Sequence, residues 1–428
     1  MATAAFHNSK ERFNPPKCHP NTCLAVLKKI MRWIKWEGGL DAFIMWVYGP
    51  AGAGKSAIAQ TIAEMCEEEM ILLASFFFSR NDPSCSNVDH LIAIIVYQIT
   101  LNLPQVRDAI LGAIQCDHLI FSKSLTVQFK FLIVTPLWQL VEAGFFDDPT
   151  SRHLVIINGL DECSDPKVQQ NIVEVLANAQ QQHQLPLIFL FASHPEQRIA
   201  HAFNTGLLPS IMTRIALDES YLPDKDIKLY LTDKFQEIKS THQLRAYIPP
   251  QWPFPNVLEQ LTQKSSGQFI YPATVIHYVS SIQHKPTNRL DIVLGICPPQ
   301  KDLPFAELDA LYMHILAGVE DIEHVLKILS LPMLCTHLCS DLQVIEEFLA
   351  LQPGDIELYL GDLSSLVNIE LESQEIQILH ASLTDFLMDP THSKELWINP
   401  RAQHAVFAHQ CLQVLQLKGK HTDSSYNY

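Results

Sequence analysis

Five short apolar segments, each of a length that suits a β-strand, recur along the first half of the chain. Short apolar runs rich in β-branched and aromatic residues are typical of strands that are buried on both faces of a parallel sheet. The predicted strands are Ala42–Tyr48, Ile71–Phe78, the run from His153 to Asn158 that leads into Asp161 and Glu162, Leu187–Ser193 and Ile211–Leu217.

Apolar residues repeat at helical spacing between these strands. The helices predicted in this half are Thr22–Trp36, Ala57–Met65, Val88–Leu101, Pro104–Cys116, Thr126–Ala143, Pro166–Gln182 and Pro195–Phe203. Buried strands that alternate with helices predict an α/β fold with a doubly wound parallel sheet, which binds ligands at the carboxyl ends of its strands. Residues 1–20 are polar and aperiodic, and they are predicted to be a leader that orders on docking or a tail.

The pattern changes after Asp218, where the strand-like segments stop. Helical spacing continues without intervening strands, which predicts an all-helical subdomain. Its helices are expected at Asp224–Lys239, Asn256–Lys264, Gly267–Gln283 and Asn288–Ile296.

A third unit is predicted to begin near Phe305, with helices to about Ala350. It ends in two alternating segments, Leu366–Leu371 and Glu375–His380, and two such segments joined by a short turn predict a hairpin. Helices followed by a hairpin indicate a winged-helix domain. A final helix, Gln403–Leu417, precedes a polar tail.

A glycine-rich loop separates the first predicted strand from the helix that follows it. The run Gly49–Ser56 fits G-x-x-x-x-G-K-[ST], a loop whose backbone N–H groups surround phosphates. Lys55 supplies a point charge for the phosphates, and the Ser56 hydroxyl is a ligand for Mg²⁺. The alternative is a glycine-rich turn that binds nothing. The candidate nucleotide-binding residues of this loop are Gly49, Gly52, Ala53, Gly54, Lys55, Ser56 and Ala57.

Acidic residues follow the third predicted strand. A nucleotide-hydrolysing enzyme needs carboxylates beside the phosphate loop, because Mg²⁺ and the attacking water must be held in line with the γ-phosphate. Asp161 and Glu162 are the candidate catalytic pair. The alternative is a solvated acidic turn that caps the next helix.

Composition narrows the class of ligand. The net charge is −16, from 30 basic and 46 acidic residues, which argues against a surface that coats nucleic acid. The ten cysteines are scattered, as expected for reduced thiols in the cytoplasm. No apolar run reaches the length of a membrane span.

Together these motifs resemble the NACHT class of signal-transducing NTPases, which belong to the STAND group and are relatives of NOD-like receptors. The similarity is to the version abundant in mushroom-forming fungi, close to the nephrocystin-type P-loop NTPase module, and it runs from about Pro16 to about Leu415. The residues that carry it are Gly49–Ser56, Ser75–Arg80, Gly159–Cys163, Phe191–Glu196, Gly267–Tyr271 and Leu379–Leu387.

The resemblance implies a switch that is clamped on ADP, opens on exchange for ATP, and then associates with itself or with related NACHT proteins. In this scheme Asp161 and Glu162 activate water, and His380 of the winged helix contacts the β-phosphate of ADP. The implied domains are a leader and helix (1–36), a NACHT NTPase domain (37–220), a helical subdomain (221–300), a winged-helix domain (301–395), and a C-terminal helix and tail (396–428).

Two residues depart from the family pattern. Asn158 stands where the family usually has the Mg²⁺-organising aspartate, and an amide keeps an oxygen ligand but loses the negative charge. His194 stands where the family usually has an arginine that senses the γ-phosphate, and a neutral imidazole stabilises phosphate charge less. Arg80 and Arg214 are further candidate cations, although a solvated strand end is favoured for Arg214.

The function expected is an ATP/ADP-binding switch with Mg²⁺ weakly held and ATP hydrolysis slow or impaired, so that any enzymatic activity is at most a weak NTPase. Two other classes stay open. One is a cycling P-loop ATPase or phosphotransferase, and the other is a scaffold that binds no nucleotide.

Overall fold

The structure, a computed structural model, describes residues 2–12, 15–37, 42–80, 82–146, 152–206, 208–295, 305–319, 321–335, 341–363, 366–370 and 374–423. The chain divides into two compact units, Met1–Ile227 and Lys228–Tyr428. The division falls within one helix, Pro223–Thr241.

The first unit is built on a five-stranded sheet in which every pairing is parallel. Its strands are β1 (Ile44–Tyr48), β2 (Leu72–Phe77), β3 (His153–Asn158), β4 (Leu187–Ser193) and β5 (Met212–Ala216). Their order in the sheet is β2-β3-β4-β1-β5. Because β4 lies between β3 and β1, the residues that follow these three strands emerge next to one another at the carboxyl edge.

Helices cover both faces of this sheet, and successive residues of one strand enter two different cores. In β1, Ile44 and Trp46 belong to one core, whereas Met45 and Val47 belong to the other. The predicted doubly wound α/β fold is therefore confirmed. The helices of this unit are α1 (Leu24–Ile34), α2 (Lys55–Glu68), α3 (Leu91–Asn102), α4 (Arg107–Cys116), α5 (Leu125–Phe129), α6 (Thr135–Glu142), α7 (Pro166–His183), α8 (Gln197–Asn204) and α9 (Leu208–Ile211).

One predicted helix is interrupted. The segment predicted as Thr126–Ala143 forms α5 and α6 with a π-helical turn, Lys130–Val134, between them. Pro136 has no N–H, so the regular bond to the carbonyl four residues earlier is lost, and the wider turn accommodates the break.

The N-terminal segment packs against the first unit. Ala2, Ala5 and His7 are buried. The His7 N–H donates to Ser75 Oγ (3.2 Å), and its ring Nδ1 and Nε2 lie 3.0 Å from Ser75 Oγ and 3.1 Å from Glu67 Oε2. Of the two alternatives predicted for residues 1–20, these contacts agree with a docked leader.

The second unit is mainly helical. Its helices are the continuation of α10 (Pro223–Thr241), α11 (Pro255–Ser265), α12 (Ile270–Val279), α13 (Pro286–Gly295), α14 (Ala306–Ala317), α15 (Ile322–Leu334), α16 (Leu342–Leu349), α17 (Asp355–Leu360), α18 (Ala381–Met388), α19 (Pro390–Ser393) and α20 (Pro400–Asp423). None of the helices in the described residues is both long and apolar enough to cross a bilayer.

The predicted hairpin is present in the second unit. Strands β6 (Val367–Glu370) and β7 (Glu375–Ile378) pair antiparallel, with Val367 opposite Ile378. The antiparallel pairing is thus confirmed, and residues 371–373 of the predicted hairpin lie outside the described residues. The assignment to a winged-helix domain and the boundaries at 221, 301 and 396 stay predictions.

Candidate functional site

The loop between β1 and α2 depends on glycine at two positions for different reasons. Gly54 has a φ of 88°, and a Cβ built there would meet no atom within 4 Å, so open space lies beside this backbone. A Cβ on Gly49 would lie 3.0 Å from Leu217 Cβ. Gly54 therefore allows the turn and leaves room for a ligand, whereas Gly49 allows close packing against the chain after β5.

The N-terminus of α2 faces this loop without a side-chain cap. Gly54 is the N-cap residue, and within the described residues no side chain caps the helix and its first turn carries no acid. The first intrahelical bond runs from the Ile58 N–H to the Gly54 carbonyl (2.9 Å), so the N–H groups of Lys55, Ser56 and Ala57 precede it. Such N–H groups, with the helix dipole behind them, favour an anion.

Lys55 places a buried ammonium group at the loop. Its Nζ donates to the carbonyls of Gly49 (3.0 Å) and Pro50 (2.8 Å), and it lies 3.3 Å from His194 Nε2. Burial lowers the pKa of Lys55 to about 8, although the negative charges of Asp161 and Glu162 oppose this shift. An anion bound beside Lys55 would therefore stabilise the charged ammonium and raise its pKa.

Asn158 ends β3 beside the start of α2. Its side chain is buried, and its Nδ2 lies 3.3 Å from Ser56 Oγ. Its Oδ1 is buried and has no hydrogen-bond partner among the described residues. A buried acceptor without a partner costs free energy. A half-turn of the amide would exchange Nδ2 for Oδ1 beside Ser56 Oγ, and a cation held by these two oxygens would remove that cost.

This pair suits Mg²⁺ better than a metal held by protein side chains alone. The described residues contain no group of three or more His, Cys, Asp or Glu side chains that would hold a metal ion. Mg²⁺ usually takes one or two protein ligands and completes its shell with phosphates and water. Two neutral oxygens suit that role, but they would hold the cation less tightly than a carboxylate.

His194 follows β4 and contacts both Asp161 and Lys55. Its backbone N–H donates to Asp161 Oδ1 (2.9 Å), while its ring Nε2 faces Lys55 Nζ. Burial first, and then the charge of Lys55, lower the pKa of His194 to about 4. The imidazole is therefore neutral near pH 7 and accepts a hydrogen bond from Lys55, so it adds no positive charge to the site.

Arg80, which follows β2, contacts several acidic residues at the carboxyl edge of the sheet. Its NH2 group lies 3.7 Å from Asp161 Oδ2, 3.3 Å from the Asp161 carbonyl oxygen and 3.6 Å from Glu196 Oε1. Its backbone N–H donates to Glu162 Oε2 (3.2 Å). Of the two cations left open by the sequence, Arg80 joins the cluster, whereas Arg214 lies exposed in the edge strand β5.

Sequence reasoning assigned no role at the site to Glu196 or Arg12. Glu196 lies two residues beyond His194, and its position just after the end of β4 could have indicated that it belongs to the site. Arg12 stacks on the Phe77 ring, with 3.9 Å from its guanidinium carbon to the ring centre, and donates to Gln60 Oε1 (2.7 Å). Burial lowers the pKa of Arg12 to about 10, while the charge of Glu162 opposes the shift. Nothing local in the sequence indicated this contact.

His380 belongs to the second unit and is described there alone. It is the N-cap residue of α18, where its Nδ1 accepts the Ser382 N–H (3.0 Å) and lies 2.8 Å from Ser382 Oγ. The Ser382 hydroxyl also pairs with the Tyr312 hydroxyl (2.8 Å). The nucleotide contact of His380 stays a prediction.

The sheet order, the glycine-rich loop and the polar strand ends together define a P-loop NTPase fold. Residues 21–194 match the family model of the nephrocystin 3 N-terminal region. The match covers less than half of the chain and includes the loop, Asn158 and Asp161. No curated protein shows significant similarity to this chain.

Several solved structures resemble the chain distantly. The Walker-type ATPase of Pyrococcus abyssi is 14% identical with a TM-score of 0.39, over 86% of this chain and 97% of that one. Cdc6p from Pyrobaculum aerophilum is 11% identical with a TM-score of 0.32, over 88% and 96%. A DNA replication initiation factor is 12% identical with a TM-score of 0.24, over 80% and 86%. Similarity at this level is too low to indicate a function.

Proposed function

We propose that this chain is an ATP/ADP-binding signal-transduction switch of the NACHT type. The bound nucleotide controls a conformational change and association with a second copy or with related NACHT proteins, and hydrolysis is slow or impaired. The observation that carries the proposal is the uncapped N-terminus of α2, with the buried Lys55 ammonium beside it.

The phosphates would be held by this chain's own N–H groups and one cation. The N–H groups of Lys55, Ser56 and Ala57 precede the first intrahelical bond of α2. Gly54 leaves open space beside them. A nucleotide would draw the Lys55 ammonium from the carbonyls of Gly49 and Pro50 toward phosphate oxygens, which are stronger acceptors because they are charged.

Ser56 and Asn158 would hold Mg²⁺. When bound, Mg²⁺ would neutralise part of the phosphate charge. The fit rests on the Asn158 amide, whose Nδ2 donates to Ser56 Oγ (3.3 Å) and whose buried Oδ1 has no hydrogen-bond partner among the described residues; a half-turn of the amide would bring Oδ1 to the cation. Because neither oxygen is charged, the cation would be held weakly, which supports slow hydrolysis.

The acidic residues support the same conclusion. Both Asp161 and Glu162 are candidates for activating water, but each is already engaged. Asp161 accepts from His194 and faces Arg80, and Glu162 accepts from the Arg80 backbone. A carboxylate must exchange such partners before it can take a proton from water, and the neutral His194 adds no charge for the transition state.

The nucleotide content of the purified protein, read by mass spectrometry, is the first test. The second is binding of fluorescent ADP, which we expect for the wild type and not for Lys55→Ala. Lys225→Ala removes an exposed lysine of the same unit and serves as the matched control. A chain that is empty and unresponsive to ADP and ATP contradicts the proposal. Steady-state ATP turnover above about 1 per second indicates a cycling enzyme instead.

A further inference from the structure

Arg80 lies where negative charge accumulates at the carboxyl edge of the sheet. Three carboxylates contact its side chain or its backbone N–H, namely those of Asp161, Glu162 and Glu196. The Asp161 side chain is only 3% exposed. A buried carboxylate is costly unless it is paired, and the Arg80 guanidinium is a charged partner of Asp161.

This cluster is continuous with the candidate phosphate site. Asp161 Oδ1 accepts the His194 N–H at 2.9 Å, and His194 Nε2 lies 3.3 Å from Lys55 Nζ. Arg80 and Lys55 therefore stand at the two ends of one chain of contacts, with the neutral His194 between them. Asp161 and Glu196 would repel phosphate, and Arg80 is the cation that offsets both.

We propose that Arg80 is the residue through which this site distinguishes a nucleoside triphosphate from a diphosphate. The inference rests on the proposed function, since it needs nucleotide at the loop. A triphosphate brings one more phosphate group, and more negative charge, than a diphosphate. Its binding therefore depends more strongly on a cation that neutralises the neighbouring carboxylates.

The exposure and chemistry of Arg80 suit this role. Its side chain is 46% exposed, and its contacts to Glu196 and Asp161 are 3.6 and 3.7 Å long, so these two ion pairs are loose. A guanidinium keeps its charge at every physiological pH and can exchange one oxyanion partner for another without changing its planar donor geometry. The neutral imidazole of His194, which follows β4, lacks this permanent charge.

The test compares the affinities of the full-length protein for ADP and for a non-hydrolysable ATP analogue. In Arg80→Ala we expect the ATP analogue to bind at least about tenfold more weakly, because the Arg80 charge no longer offsets the carboxylates of Asp161 and Glu196 beside the additional phosphate. We expect ADP affinity to change by less than about threefold. Arg214→Ala removes an exposed arginine of β5 and should change neither affinity.

Two further variants separate charge from folding. Arg80→Gln keeps a polar side chain of similar length without the charge, and it should lower ATP-analogue affinity as Arg80→Ala does, even if the alanine variant is unstable. Adding His194→Arg to Arg80→Gln supplies a guanidinium from the end of β4, which is separated from β2 by one strand. The double variant should restore ATP-analogue affinity to within about threefold of the wild type. A role in stability alone predicts no such rescue.

Each outcome distinguishes the two proposals. If Arg80→Gln weakens ADP and the ATP analogue equally, or neither, Arg80 does not discriminate between them, while the proposed function stands. If the wild type binds neither nucleotide, the proposed function fails and the role of Arg80 fails with it.

Discussion

The protonation of Lys55 connects the burial of a single side chain to ligand affinity. Burial lowers its pKa to about 8, because the charged ammonium is poorly solvated inside the loop. An anion reverses this effect by stabilising the charged form. Binding of nucleotide is therefore coupled to uptake of a proton when the free protein has lost one.

We predict that nucleotide affinity falls as pH rises through about 8. Below that pH Lys55 already carries its proton in the free protein, and above it binding must recruit one, so affinity falls by up to about tenfold per pH unit. Titrations of fluorescent ADP between about pH 7.5 and 9.5 avoid ionisation of the phosphates, whose second pKa is near 6. Lys55→Arg, which does not titrate in this range, is the control; a sloping profile in that variant would assign the effect to another group.

We predict that Asn158 limits the affinity of the proposed Mg²⁺ site, and Asn158→Asp introduces the missing negative charge. Without Mg²⁺ we expect the variant to lose about 1–3 kcal/mol of stability, because a charged group replaces a buried neutral one. Mg²⁺ with nucleotide should recover the melting temperature and raise ATP hydrolysis above the wild type. Unchanged melting in Mg²⁺ and unchanged hydrolysis would show that Asn158 does not face the cation.

Helix α2 connects two parts of the first unit. Its N-terminus faces the phosphate loop. Three of its residues, separated by four and then three positions, contact the N-terminal segment. Gln60 donates to the His7 carbonyl (2.9 Å), Lys17 pairs with Glu64 (2.8 Å), and His7 with Glu67 (3.1 Å). Such spacing places the three contacts on one face of the helix. The leader therefore stabilises the same helix that would bind phosphate.

We predict that His7→Ala destabilises the first unit by about 1–3 kcal/mol, since it removes contacts to Ser75 and Glu67 and leaves Ser75 buried. Asn8→Ala removes one exposed contact to Glu67 and should cost less than about 0.5 kcal/mol. Urea unfolding of the full chain measures both. If His7→Ala lowers the free energy of unfolding no more than Asn8→Ala does, the leader does not support the fold.

The chain has a second unit, in which His380 is the residue predicted to contact the nucleotide. This residue also caps α18, so removing it has two consequences that must be separated. A serine at the same position keeps a capping oxygen but is too short to replace an imidazole elsewhere.

We predict that His380→Ala and His380→Ser both release fluorescent ADP faster than the wild type, by about tenfold if one phosphate hydrogen bond is lost. Stopped-flow displacement measures the rate, and His404→Ala, at an exposed histidine of α20, is the control. Faster release in the alanine variant alone would assign the effect to the helix cap. Unchanged release in both would remove His380 from the switch.

The secondary structure of the first unit could be predicted from sequence because burial repeats locally. Strand β4 lies at Leu187–Ser193 as predicted, and β3 begins at His153 and ends at Asn158. The phosphate loop was also readable, since its glycines, Lys55 and Ser56 are contiguous. The break before Pro136 was not, because it depends on a backbone detail. The docking of residues 2–12 was left open against a tail, because it depends on single side-chain contacts rather than on periodicity.

The amino-acid order was enough to predict the α/β elements, the loop at Gly49–Ser56 and the polar residues after β3 and β4. Only the folded chain decided that β4 inserts between β3 and β1, which places His194 between Asp161 and Lys55, and that Arg80 reaches the same edge from β2. These contacts join residues that are far apart in sequence. Strand order is set by how whole helices and strands pack together, and the local spacing of apolar and polar residues does not specify it.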